Sequence, residues 1–236
     1  MSVFLPGDLV PISTAQRSAK TKICLGPGLR RQNQSVLATQ CGVLRSKHEN
    51  SVSSYWLDTQ LKRYWPTKGD KVIGIVTQKA GDAFRVDIGS AEAATIAYTS
   101  FEGTTKKMRP NLKHGDLIYC QLSQATKDME PELVCVDKDG KARGLGVLPS
   151  GGFLFQASLS LVRRLLAPGC HALTQLGAKF KFELTCGMNG RIWVKSQSLR
   201  ETSTICNVLT QCEYLNQPQI DALIEKATLS FAAASD

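Results

Sequence analysis

No run among the 236 residues comes near the roughly 18 consecutive apolar residues that a membrane-spanning helix requires. The opening MSVFLPGDLVPIS has no basic stretch ahead of a long apolar one. Neither a secretory signal nor an Arg-rich transit peptide is therefore expected, which points to the cytosol or nucleus. Only three histidines occur, His48, His114 and His171, in separate segments, and none has Ser, Cys or carboxylate neighbours in the pattern of a triad or metal site. His-Glu-x-x-His is absent, and acidic residues are few and scattered, whereas metal-assisted phosphodiester hydrolysis needs several carboxylates. No catalytic residue, metal or cofactor is expected. The eight cysteines include no Cys-x-x-Cys pair and mostly lie inside apolar segments, so they read as buried thiols of a reducing compartment. Two phosphate-loop patterns fail. Gly146 to Gly151 has the right spacing, but Gly152-Phe153 stand where Lys and Ser/Thr are needed, and Gly144-x-Gly146 lacks its third glycine.

What remains is a globular composition, 42% hydrophobic and 21% charged, with a net charge of +9. Residues 1–66 carry +6, residues 67–140 carry −1 and residues 141–236 carry +4. A basic excess of this kind favours partners rich in phosphate.

Residues 1–66 alternate short apolar runs with Gly and Pro, show no helical stripe, and read as a small β domain closed by Trp65-Pro66. Residues 67–139 hold five short strand-like runs, at 72–77, 83–88, 94–98, 117–123 and 132–136, with turn residues Gly81-Asp82, Gly89-Ser90 and Gly115-Asp116 between them. Five such strands in about 70 residues fit a barrel of the OB type. The connector GKARGLGVLPSGG leads into residues 140–236, an α+β unit. There Leu154, Leu159, Leu161, Val162, Leu165 and Leu166 follow a helical period ending at Pro168-Gly169. The runs KFKFELTC and RIWVKS alternate as two strands, and two more helices follow, the last started by Asn216 or Gln217 ahead of Pro218.

The densest cationic stretch is TKKMRPNLKHG, with Lys106, Lys107, Arg109 and Lys113 on one barrel connector. Phe84, Tyr98 and Phe101 precede it and could offer flat faces to unpaired bases; core aromatics beside a solvated or protein-docking loop is the competing reading. Arg163-Arg164 read as the solvent face of a helix.

Between the two late strands stands Gly187-Met188-Asn189-Gly190. A Gly-x-x-Gly tetrad can clamp a nucleic-acid backbone in a KH domain, and an Asn-Gly pair between β-prone runs is equally a hairpin signal. With these units in this order, the chain resembles the cap subunits of the eukaryotic RNA exosome, of the component 3 type. The resemblance rests on Leu5-Pro6-Gly7-Asp8, Gly26-Pro27-Gly28-Leu29, Lys68-Gly69-Asp70, Phe84-Arg85-Val86-Asp87-Ile88-Gly89 and, most specifically, Gly187-Met188-Asn189-Gly190-Arg191-Ile192-Trp193-Val194. It implies an S1-type OB barrel and a KH-like unit in a non-catalytic protein of the nucleus, nucleolus and cytoplasm. Such a subunit sits with the other cap subunits on a ring of six RNase PH-like subunits and guides single-stranded RNA toward separate 3'–5' nucleases. A free-standing RNA-binding regulator, for instance of translation, would use the same two units, and a nuclease is the weakest reading. RNA-clamping KH domains place their tetrad between two helices, whereas this one reads as strand, turn, strand with Asn third. We therefore expect Gly187 to Gly190 to form a tight turn packed against the barrel, with Asn189 bonding backbone groups, and Trp193 to be a packing residue.

Overall fold

A computed structural model of the chain describes residues 2–12, 22–49, 52–60, 63–104, 110–126 and 129–233. These fall into two compact units, residues 1–61 and 62–236.

In the first unit, strands Val3–Phe4, Gly42–Glu49, Val52–Asp58 and Lys22–Leu25 lie side by side in that order, and Leu9–Val10, Ser35–Ala38 and Leu29–Gln32 form a second, three-stranded sheet. Asn33 and Gln34 turn the hairpin between the last two, with Asn33 in the left-handed region (φ 54°) that asparagine tolerates. Val10, Ile12, Val36, Ala38 and Leu57 make the core. The unit ends at Leu61, so Trp65 and Pro66 belong to the second body.

The second unit starts with a five-stranded barrel: β1 (Lys71–Ala80), β2 (Ala83–Asp87), β3 (Ala94–Ala97), β4 (Leu117–Thr126) and β5 (Met129–Val134). The order β5-β3-β2-β1-β4 closes through a further β5–β4 pairing, leaving no continuous open edge. Period-two alternation explains its filling. Val72 and Val76 on β1, Phe84 and Val86 on β2, Ile96 on β3, Ile118, Cys120 and Leu122 on β4 and Leu133 on β5 are all buried.

The chain then runs through β6 (Phe153–Gln156), α1 (Leu159–Leu166), α2 (His171–Lys179), β7 (Phe182–Cys186), β8 (Arg191–Ser196), α3 (Leu199–Gln211) and α4 (Gln217–Ala233). The sheet order is β6-β8-β7, all antiparallel. Its core joins Ile192 and Val194 of β8 to Leu161, Val162, Leu176, Ile205, Leu209, Ile220 and Ile224 of the four helices. Leu154 does not share the α1 stripe, because Ser158 caps the helix, its Oγ accepting from the Leu161 amide at 3.1 Å, and leaves 153–156 extended. Asn216 starts α4: its carbonyl accepts from the Ile220 amide and its own amide donates to Gln219 Oε1 at 3.0 Å. Arg164 does more than face solvent, since its guanidinium donates to the carbonyls of Cys212 and Glu213 at the end of α3, where a helix lacks donors. All eight cysteines are free thiols; Cys41 is exposed, and burial pushes the thiols of Cys135 and Cys186 up to about 12.

Candidate nucleic-acid interface

The β7–β8 turn is built against the barrel. Its closure is local: the Gly187 amide donates to the Arg191 carbonyl at 2.8 Å, and the Gly190 amide donates to that of Gly187 at 3.0 Å. Everything else reaches outward. Ile75 is the first β1 residue in register with β2, opposite Asp87, so Lys71 and Ile73 before it present their backbone groups to an edge that β2 does not cover. The turn takes that edge. Met188 donates its amide to the Lys71 carbonyl at 2.8 Å. Asn189 Nδ2 donates to the Ile73 and Ile88 carbonyls, both at 2.8 Å, while Oδ1 accepts from the Ile73 amide at 3.3 Å.

A primary amide has the donor and acceptor of a peptide group, so Asn189, only 4% exposed, continues the ladder of β1 where no strand does. The two glycines are steric requirements. A Cβ on Gly187 would stand 2.7 Å from the Ile73 nitrogen, and Gly190, at φ 84°, would place one 2.7 Å from the Ala157 carbonyl oxygen.

Arg191 extends the joint. Its guanidinium donates to the Ile73 carbonyl at 3.3 Å and to the Asp87 carbonyl and carboxylate. Burial alone would raise the Asp87 carboxyl; the Gly89 amide and the Arg191 guanidinium outweigh it and hold the group below its ordinary value. Barrel and C-terminal unit are thus joined through the buried amide of Asn189 and the partly buried Arg191–Asp87 pair. Among the described residues, the buried side-chain nitrogen without a hydrogen-bond partner is the indole Nε1 of Trp193, which is 2% exposed. Alternation along β8 points Trp193 away from the helices, and its ring lies over Gly152.

The turn occupies a different place from the loop by which KH domains clamp RNA. In the order β-α-α-β-β-α, that loop joins the first two helices; here the α1–α2 connection is Ala167-Pro168-Gly169-Cys170, with a single glycine.

The aromatic faces expected to stack bases are inside the barrel. Phe84 and Tyr98 are buried and packed edge to face at 4.6 Å between ring centroids, with the Tyr98 hydroxyl donating to the Gly81 carbonyl, and Phe101 is buried as well. Phe84 has the parity of Val86 and Ile88, which fixes it inward. The outer face of β2 and β3 carries Ala83, Arg85, Asp87, Thr95 and Ala97 instead, with Arg85 paired to Glu130 at 3.7 Å. Of the four connector cations, Lys113 is exposed beside the turn that Asp116 closes by accepting from the Lys113 amide at 2.7 Å; Lys106, Lys107 and Arg109 lie outside the described residues.

Comparison with known proteins matches most of the chain to one family. Residues 2–60 match a model of the N-terminal region of mammalian exosome complex component RRP40, residues 64–146 that of the RRP40 S1 domain, and residues 152–200 a KH domain model. The exosome complex component RRP40 of Homo sapiens is 48% identical over 220 residues, covering 91% of this chain and 80% of that protein. That of Drosophila melanogaster is 43% identical over 223 residues and covers 94% of both. The chain belongs to the RRP40 family. Identity to the family member of Saccharomyces cerevisiae is 32% over 220 residues, 90% of this chain and 89% of that one. A crystal structure described as an exosome complex RNA-binding protein superposes with a TM-score of 0.58 at 23% identity, covering 70% of this chain and 97% of that one, which bears on the fold alone.

Three residues of this RRP40-family geometry carry little signal in the sequence. Asp87 and Arg191 are 104 positions apart, and only their standing in two separate motif stretches marks them as partners. The third is Trp65, which is 61% exposed beside the buried Tyr64.

Proposed function

We propose that the chain is a non-catalytic, RNA-binding cap subunit of the RNA exosome. It stabilises a nine-subunit core by bridging RNase PH-like ring subunits beside the other cap subunits, and guides single-stranded RNA into the channel for 3'–5' processing and degradation by associated nucleases. The observation that carries this reading is the extent of the family likeness, which runs through the N-terminal, S1 and KH parts and spans 94% of both chains in the Drosophila comparison. The net charge of +9 supports a polyanionic partner. We assign RNA contact to Lys106, Lys107, Arg109 and Lys113 on the connector before β4, and a packing role to Gly187, Met188, Asn189 and Gly190. The protein would work in nucleus and nucleolus and also in the cytoplasm.

Reconstitution tests the proposal. Ring subunits mixed with the chain are expected to assemble at the mass of the complete core and to protect a longer RNA segment from nuclease than the ring alone. A ring that assembles equally without the chain, with unchanged protection, would refute both parts.

A further inference from the structure

We infer that Arg63 and Trp65 form a binding site for one nucleotide of single-stranded RNA, the base stacking on Trp65 and the adjoining phosphate meeting Arg63. This rests on the RNA-binding reading above and assigns it a location.

The segment is held in place from within: Tyr64 is buried, its hydroxyl donating to Asp70 Oδ2 at 2.9 Å, and Pro66 follows. Its neighbours on either side are therefore fixed pointing outward. Trp65 lines a cavity of about 120 Å³ together with Pro66, Met129 (55% exposed) and Pro131. The same cavity is bounded by Ser90 to Glu92 from the β2–β3 connection and by Thr126 at the end of β4. It therefore opens at the end of the barrel beside the β2–β3 connection, next to the strands whose face OB barrels use to bind oligonucleotides. The residues of β2 and β3 that point outward there include no aromatic, so Trp65 supplies the platform that the strands lack.

Arg63 decides the occupant. It lines this cavity and also the next one, about 360 Å³, walled by Gln156, Asn189 and Arg191 at the seam between barrel and C-terminal unit. Arg191 is neutralised by Asp87, while Arg63 is exposed and forms no ion pair among the described residues. A small apolar slot beside such a guanidinium, opening onto a polar trough, suits a flat base followed by a phosphate. Glu92, on the slot's rim, can accept from a base amino group. A proline-rich peptide would use the aromatic slot but would have no use for the guanidinium or the trough beyond it.

The test uses the full chain with a fluorescein-labelled 12-nucleotide oligouridylate and oligoadenylate, read by anisotropy and by quenching of indole fluorescence. W65A is expected to bind about fivefold to a hundredfold more weakly with an unchanged melting temperature, and W65F, which keeps a flat face, to recover most of the loss. R63A is expected to lower the slope of log affinity against log salt by about 0.7, the share of one phosphate. Equal binding by wild type and W65A would overturn the site. So would no binding by the wild type, or Trp65-dependent quenching by a proline decapeptide and not by RNA. The same variants are carried through co-purification with ring subunits, which W65A should leave intact. Loss of RNA binding in W65A, from a wild type that recovers no ring subunits, would keep the site and sink the exosome reading; the opposite pair of results would do the reverse.

Discussion

Replacing Asn189 by Ala probes the joint between barrel and C-terminal unit with the fewest side effects. The substitution removes three hydrogen bonds at a site 4% exposed and adds no bulk. The Ile73 carbonyl keeps Arg191 as a donor at 3.3 Å, whereas the Ile73 amide and the Ile88 carbonyl lose their Asn189 partner. A buried polar group left unmade costs about 1–3 kcal/mol, so two cost about 2–6 kcal/mol together. For a unit of this size each kcal/mol moves the midpoint by about 2–4 °C, which gives a fall of roughly 4–24 °C. N189D is expected to be at least as damaging, because a carboxylate oxygen would then face two carbonyls. Thermal unfolding followed by near-ultraviolet circular dichroism reads the change. A midpoint for N189A within about 1 °C of the wild type would refute the claim that this amide stands in for a strand.

Trp193→Arg brings a charge into a site 2% exposed and is expected to cost about 3 kcal/mol or more, seen as loss of soluble protein or of the unfolding transition. Gly152→Ala places a methyl group 2.2 Å from the Trp193 ring and is expected to destabilise by about 1–3 kcal/mol in urea titration. Asp87, lowered in the folded protein, contributes stability that is present above the ordinary carboxylate value and is lost as pH falls through the lowered one. The difference in midpoint between wild type and D87N should therefore hold steady above about pH 5 and shrink on acidification. Removing Lys106, Lys107, Arg109 and Lys113 together is expected to weaken RNA binding across all sequences and to reduce the salt slope by about 0.7 for each phosphate that is no longer neutralised.

Much of this architecture can be read from residue order, because alternation and turn glycines mark the barrel strands directly. The last strand begins at Met129, earlier than its apolar run suggests, since the bulged β4–β5 ladder draws polar residues into pairing. Helix α2 has no clear sequence signature: only Ala172 and Leu176 are buried on it, and Gly177 breaks the pattern. The turn at Gly187 is legible as a turn from Asn-Gly, but its receptor is not. Nothing local announces that Lys71 and Ile73, more than a hundred positions away, expose an uncovered edge. Phe84 departs from expectation for a simpler reason. Its chemistry suggests stacking, and its parity with Val86, which places it in the core, carries the better information.

Membership in a ring-based assembly is decided by recovering the tagged chain from cell extract at moderate salt with RNase present and identifying stoichiometric partners by mass. A cap subunit should bring down RNase PH-like ring subunits in equal amount to the chain, retained after RNA is digested. Recovery of the chain alone would contradict that membership.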